Sequence, residues 1–91
     1  MADSRYESHI DVAVSATNTQ TKFTGMFSWL TIRNQGDNNV HFSIGVDAAT
    51  TSDYYLLPGE SMTLDASDRY VNVICAATKT STVSLLGRVI G

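Results

Sequence analysis

Asn34-Gln35-Gly36-Asp37-Asn38-Asn39, followed at once by Val40-His41-Phe42-Ser43-Ile44-Gly45-Val46, is the stretch that decides the fold. The first six residues are polar and carry the side chains that accept positive φ or bond their own backbone, so they mark a turn. In the next seven, Val40, Phe42, Ile44 and Val46 alternate with His41, Ser43 and Gly45, the two-residue period of a strand with one face in a core. Before the turn, Phe23 to Arg33 is apolar on both parities: Phe23, Phe27, Trp29 and Thr31 on one, Met26, Leu30 and Ile32 on the other. Such a run fits a strand buried on two sides, or a bulge near Gly25 that switches faces. The two runs and their six-residue loop predict an antiparallel hairpin, with Trp29 in the core and the Val40-Phe42-Ile44-Val46 face buried.

The same pattern continues outward. Ile10, Val12 and Val14 alternate with polar or small neighbours and predict a half-buried strand over 9–15, followed by a polar segment at 16–22 that reads as a loop or an exposed edge. Residues 47–54 form a second loop. Tyr55-Leu56-Leu57 runs into Pro58-Gly59, where proline presets φ and glycine permits a type II turn. Met62 and Leu64 mark a short strand, and Asp65 to Asp68 a turn. Val71, Val73 and Cys75 share one parity of the next strand. Val83, Leu85, Gly87 and Val89 share one parity of the last, opposite Ser84, Leu86, Arg88 and Ile90. Seven or eight short strands with turn signals about every ten residues predict an all-β fold, a small antiparallel β-sandwich of jelly-roll or immunoglobulin-like kind.

Composition agrees. Among 91 residues there are 10 Ser, 11 Thr and 5 Asn, but only 2 Lys, 2 Glu and 2 Gln. The long unbranched side chains that favour solvated helices are scarce, and the branched ones that suit a pleated surface are plentiful. The length predicts one domain, 9–91, preceded by a short polar arm, 1–8, whose residues show no strand period. Such a segment either frays or orders on a neighbouring subunit. A chain this short buries only about 60–70% of its unfolded surface, and its single cysteine forms no internal disulfide. Chains of this kind gain further stability by assembling with copies or partners.

Charge and motifs exclude several functions. The net charge is −3 with scattered cations, which is no footprint for nucleic acid. No apolar run approaches the about 20 residues that span a bilayer. The opening Met1 to His9 lacks the apolar region of a signal peptide, so export by that route is not expected. No cofactor motif is present. His9, Asp11 and His41 could hold a metal only if their strands were neighbours. Asp47, Asp53, Asp65 and Asp68 lack the dense ligand spacing of a calcium loop. Cys75 stands in an apolar strand without a nearby base, so a buried structural thiol is expected rather than a nucleophile. These readings predict a non-enzymatic protein. The side chains suited to a protein interface are Arg5, Tyr6 and His9 near the N-terminus, and Tyr54 and Tyr55 after the second loop. The tyrosines could also stack on sugar rings.

One resemblance adds to this. Leu30-Thr31-Ile32-Arg33-Asn34, a glycine-containing turn, Val40 to Gly45, Leu57-Pro58-Gly59-Glu60-Ser61-Met62-Thr63-Leu64, and Tyr70 to Ala77 with a closing strand follow one another in the order seen in small β-sandwich virion structural proteins of tailed bacteriophages. The chain resembles that group over 30–90. The resemblance implies a capsid decoration or cement protein, or a head or tail component. It would bind the major capsid protein or other virion proteins in many copies as a homo-oligomer, located in the virion after assembly in the bacterial cytoplasm. No residue-level site carries over from it. The rival reading is a carbohydrate- or receptor-binding module of a tail or fibre structure.

Overall fold

The computed structural model describes residues 4–90. Seven strands are formed: β1 (Ser4–Val14), β2 (Thr19–Asn34), β3 (Val40–Ile44), β4 (Tyr55–Leu56), β5 (Ser61–Leu64), β6 (Asp68–Ile74) and β7 (Ser81–Ile90). All pairings are antiparallel and hydrogen bonding runs in the order β1-β7-β2-β6-β3-β4, with β5 also on β2. The all-β antiparallel expectation is met.

The long strand β2 makes the sandwich. Its first part, Thr19 to Lys22, pairs with Val73 to Tyr70 of β6. Its second part pairs with β7 from Met26↔Ile90 to Asn34↔Val83, and with β5 over Leu30 to Arg33. One strand thus belongs to two layers, β1-β7-β2-β5 and β2-β6-β3-β4, which fold over a single core. Phe23 and Phe27 are buried on one parity, and Leu30, Ile32 and Asn34 on the other. The face switch expected near Gly25 falls instead at Ser28-Trp29, where the β2–β7 register shifts. Trp29, expected in the core, is therefore turned to the outer face and is only half-buried.

The predicted hairpin of β2 and β3 does not form, because β6 lies between them. The loop after Asn34 crosses from one layer to the other, and Asn34 holds that crossing. Its side chain is fully buried. Its Nδ2 donates to the carbonyls of Asn38 at 2.7 Å and Leu56 at 3.0 Å. Its Oδ1 accepts from the Gly36 N–H at 3.1 Å and the Ser81 hydroxyl at 2.7 Å. Its backbone bonds the Pro58-Gly59 turn, with the Asn34 N–H donating to Glu60 and the Gly59 N–H donating to Asn34. That turn matches the sequence reading: Gly59 has φ 82° and the Glu60 N–H donates to the Leu57 carbonyl at 2.9 Å.

Asn72 does similar work. It sits between buried Val71 and Val73 on a strand covered on both faces. Its Nδ2 donates to Gly45 O at 2.7 Å, and its Oδ1 accepts from Gln20 and Asn18. The alternation of β3 ends at Gly45, whose φ of 115° turns the chain outward. Val46, expected with the core face, is accordingly 72% exposed.

Two N-terminal expectations are corrected. Residues 4–8 are not an arm beside the sheet: they are the first half of β1, paired from Ser4↔Ile90 to Ser8↔Leu86. The sequence hid this because their polar side chains lie at an edge and at the mouth of the sandwich rather than in the core. Residues 1–3 of the proposed arm lie outside the described residues. The Ile10-Val12-Val14 face is also broken. The register shifts between His9 and Val12, and Asp11 has φ 60°, so Ile10 and Asp11 together face one β7 residue. Val14 stays buried while Ile10 is 68% exposed.

Cys75 is buried, and desolvation pushes its thiol up. Native protein should react slowly with a thiol reagent at neutral pH and denatured protein quickly, followed by absorbance. Equal rates would contradict this burial.

Candidate interaction surface

The residues singled out by sequence fall at the two ends of the strand order. Arg5, Tyr6 and His9 lie on β1, and Tyr54 and Tyr55 lie at β4. They do not converge on one site. β1 and β3 are separated by three strands, so His9 and His41 do not meet either. Among the described residues no group of three or more His, Cys, Asp or Glu could hold a metal ion. The Asp53 carboxylate accepts the Thr50 N–H of its own loop, and the Asp68 carboxylate accepts the N–H groups of Arg69 and Tyr70 at the start of β6.

On β1, alternate side chains do different jobs. Glu7 and His9 turn inward and close the mouth of the sandwich. The Glu7 carboxylate accepts from the Thr24 N–H at 3.1 Å, from the Thr24 hydroxyl, and from His9 Nε2 at 2.7 Å. The His9 ring meets the edge of Phe23 at 4.7 Å. Arg5 donates to the Thr24 hydroxyl at 2.6 Å and stands 4.0 Å from Glu7. His9 is thus occupied within the fold. Burial alone would raise the Glu7 carboxyl, but the hydrogen bonds from Thr24 and His9 outweigh it and hold it below the ordinary value of 4.5. The unfolded chain then takes up this proton more readily than the folded one. The resulting stability is present above the ordinary value and is lost as pH falls through the lower folded value. In urea titrations, the gap between wild type and Glu7→Gln should be widest near neutral pH and narrow below about pH 4. A gap independent of pH would contradict this role.

Tyr6, Ser8 and Ile10 turn outward. Tyr6 is 68% exposed and its ring lies 5.9 Å from Trp29, tilted by 53°. Leu86 and Ile90 of β7 and Met26 of β2 are exposed on the same outer face, with Met26 directly opposite Ile90 in register. The outer face of the β1-β7-β2-β5 layer therefore carries Tyr6, Ile10, Met26, Trp29, Leu86 and Ile90, with exposed Arg88 among them opposite Tyr6. Sequence reasoning found Tyr6 and missed the others. The signal was present in the apolar residues on the second parity of Phe23–Arg33 and Val83–Ile90. At β4, Tyr54 and Tyr55 are 62% and 47% exposed and stack at 6.4 Å and 30°. Tyr55 also contacts the His41 ring at 5.4 Å, and Tyr54 meets Phe42 edge-on at 6.0 Å. No helix of the described residues is long and apolar enough to cross a membrane.

No protein-family profile matches the chain, and no curated protein matches it in sequence. Solved structures do match in fold. The chain is similar to PirA, with a TM-score of 0.55 and 14% identity over 89% of this chain and 92% of that one. It is similar to a protein from the disulfide-linked pili of Bacillus endospore appendages, with a TM-score of 0.53 and 16% identity over 98% and 89%. It is also similar to the coat protein of tobacco streak virus, with a TM-score of 0.52 and 12% identity over 97% and 85%. At these identities the likeness is one of fold: an antiparallel jelly-roll-like sandwich.

Proposed function

We propose that the protein is a non-enzymatic virion structural protein of a tailed bacteriophage, a decoration or cement protein that binds the major capsid protein in many copies. The observation that carries this reading is the exposed apolar outer face of the β1-β7-β2-β5 layer. Several large apolar side chains exposed on one face of a small domain, here around Arg88, suit a contact with another protein. The polar side chains with internal partners tie strands and loops together, which is the chemistry of a building block. The fold is shared with a viral coat protein and a pilus protein, in keeping with assembly into a larger structure. The resemblance of 30–90 to phage virion proteins supplies the finer reading. No cofactor, nucleic acid or membrane enters it.

Co-sedimentation with assembled phage heads tests it. Wild-type protein should pellet with the heads to saturation. Leu86→Lys, which replaces an exposed apolar side chain of that face with a second cation beside Arg88, should lower the affinity at least tenfold while leaving the circular dichroism unchanged. Equal binding by both would remove the outer face from the contact.

The stacked, exposed Tyr54 and Tyr55 beside His41 favour a second reading, a carbohydrate- or receptor-binding module on a tail or fibre. Aromatic faces of this kind suit the apolar side of a sugar ring. Glycan-array binding that disappears in Tyr54→Ala or Tyr55→Ala would support it, and an empty array would dismiss it.

A further inference from the structure

We propose that the shallow cavity between β2 and β5 on the outer face is a saccharide-binding site, with Trp29 as the platform for a sugar ring. The inference goes beyond the virion reading and does not depend on it. The cavity has a volume of about 480 Å³, a size usual for small-ligand sites, and is lined by Trp29, Thr31, Thr63, Leu64 and Asp65. It lies on the β5 side of Thr31, whereas Leu86 lies on the β7 side.

The backbone presents Trp29 to this cavity. Phe27 pairs with Val89 and Leu30 with Gly87, so Ser28 and Trp29 together face Arg88. A bulge of this kind re-aims a side chain, and here it takes a large indole out of the core and leaves it half-buried on the outer face. Tyr6 meets the indole from the β1 side at 5.9 Å, and the cavity opens on the β5 side. Continuing the β2–β5 register one residue past Leu30↔Leu64 sets Asp65 beside Trp29.

The polar groups decide the class of ligand. The carboxylates of Glu7, Asp53, Glu60 and Asp68 are each spent on N–H groups of the fold. Among the described residues the exposed Asp65 carboxylate accepts no hydrogen bond and pairs with no cation, and the Trp29 Nε1–H donates to no protein group. The Thr31 and Thr63 hydroxyls bond each other at 2.8 Å, which leaves one hydroxyl proton and several lone pairs for a ligand. The cavity thus sets donors and acceptors side by side next to an aromatic ring. A sugar matches all of them, because its hydroxyls both donate and accept and its C–H face packs on an aromatic plane. An ammonium ion has donors only and gains little from one exposed carboxylate. An anion is repelled by that carboxylate.

The test uses the full-length protein, isotope-labelled for magnetic resonance. The chain has one tryptophan, so its single indole N–H resonance reports on this site. Titration with cellobiose, lactose and N,N′-diacetylchitobiose should shift that resonance saturably with at least one of the three, together with the amides of Thr63 and Asp65. Asp65→Ala and Thr63→Val should each weaken that binding at least fivefold. Asp37→Ala, which removes an exposed carboxylate from the loop after β2, should bind as wild type does. Tetramethylammonium chloride and sodium acetate should give no saturable shift. The wild-type titration needs no variant, so a variant that misfolds does not weaken it. No saturable indole shift with any of the three disaccharides, shifts confined to Tyr54 and Tyr55, a saturable shift with tetramethylammonium instead, or unchanged affinity in both Asp65→Ala and Thr63→Val would overturn the site. Head binding without a saccharide shift defeats this site alone. A saccharide shift in a protein that binds no head defeats the virion reading alone.

Discussion

Asn34→Ala is expected to cost on the order of 4 kcal/mol, most of the stability of a domain this small. The change removes two donors and an acceptor at once. It leaves the Leu56 and Asn38 carbonyls, the Gly36 N–H and the Ser81 hydroxyl without the partner that joins them. Water cannot replace all of these bonds without opening a side chain that has no exposed surface. The neighbouring Gly36 sharpens the point, since a Cβ there would lie 2.7 Å from the Thr82 nitrogen and 2.8 Å from the Ser81 Cα. The crossing between layers is therefore tightly specified. Asn39→Ala, at an exposed position in the same loop, should stay within about 0.5 kcal/mol. Urea midpoints for the pair provide the check. A similar small shift in both would mean that Asn34 does not organise the corner.

Phe27→Ala is expected to cost about 3–5 kcal/mol, through lost burial and the cavity left behind. Phe27 has no exposed surface, packs edge-on against Phe23 at 5.1 Å, and lies just before the point where β2 changes faces. Gly87 presses on the same pair: a Cβ there would stand 3.1 Å from the Phe27 Cβ and 3.2 Å from the Phe23 ring. The site is packed closely on both sides, so it collapses poorly when the ring is removed. Val46→Ala, at a position that shares sequence parity with Val40 and Phe42 but is exposed, should be close to neutral. Equal midpoints for Phe27→Ala and Val46→Ala would contradict the placement of the core.

Sequence periodicity carries the strands whose alternation is unbroken. Val83, Leu85, Gly87 and Val89 face inward as expected, and so do Val71, Val73 and Cys75 on or just after β6. It fails where the backbone departs from regular pairing. The bulge at Ile10-Asp11 and the face switch at Ser28-Trp29 each move side chains to the other face, and neither has a glycine or proline to announce it. Strand order is equally silent, because a polar loop of given length serves a hairpin or a crossing between layers. What separates the two here is the bonding of Asn34, which depends on residues 22 and 47 positions away. Of the interface candidates, Tyr6, Tyr54 and Tyr55 are exposed, while His9 closes the sandwich. The outer face was only partly legible because apolar residues on a second parity also fit a strand buried on both sides.

As a decoration protein, this sandwich is proposed to be a stoichiometric part of a particle. Quantifying the chain against the major capsid protein in purified virions, by mass spectrometry with labelled standards, tests it most directly. A decoration protein should hold a fixed simple ratio to the major capsid protein that persists through repeated gradient purification. Virions that lack the chain would contradict it.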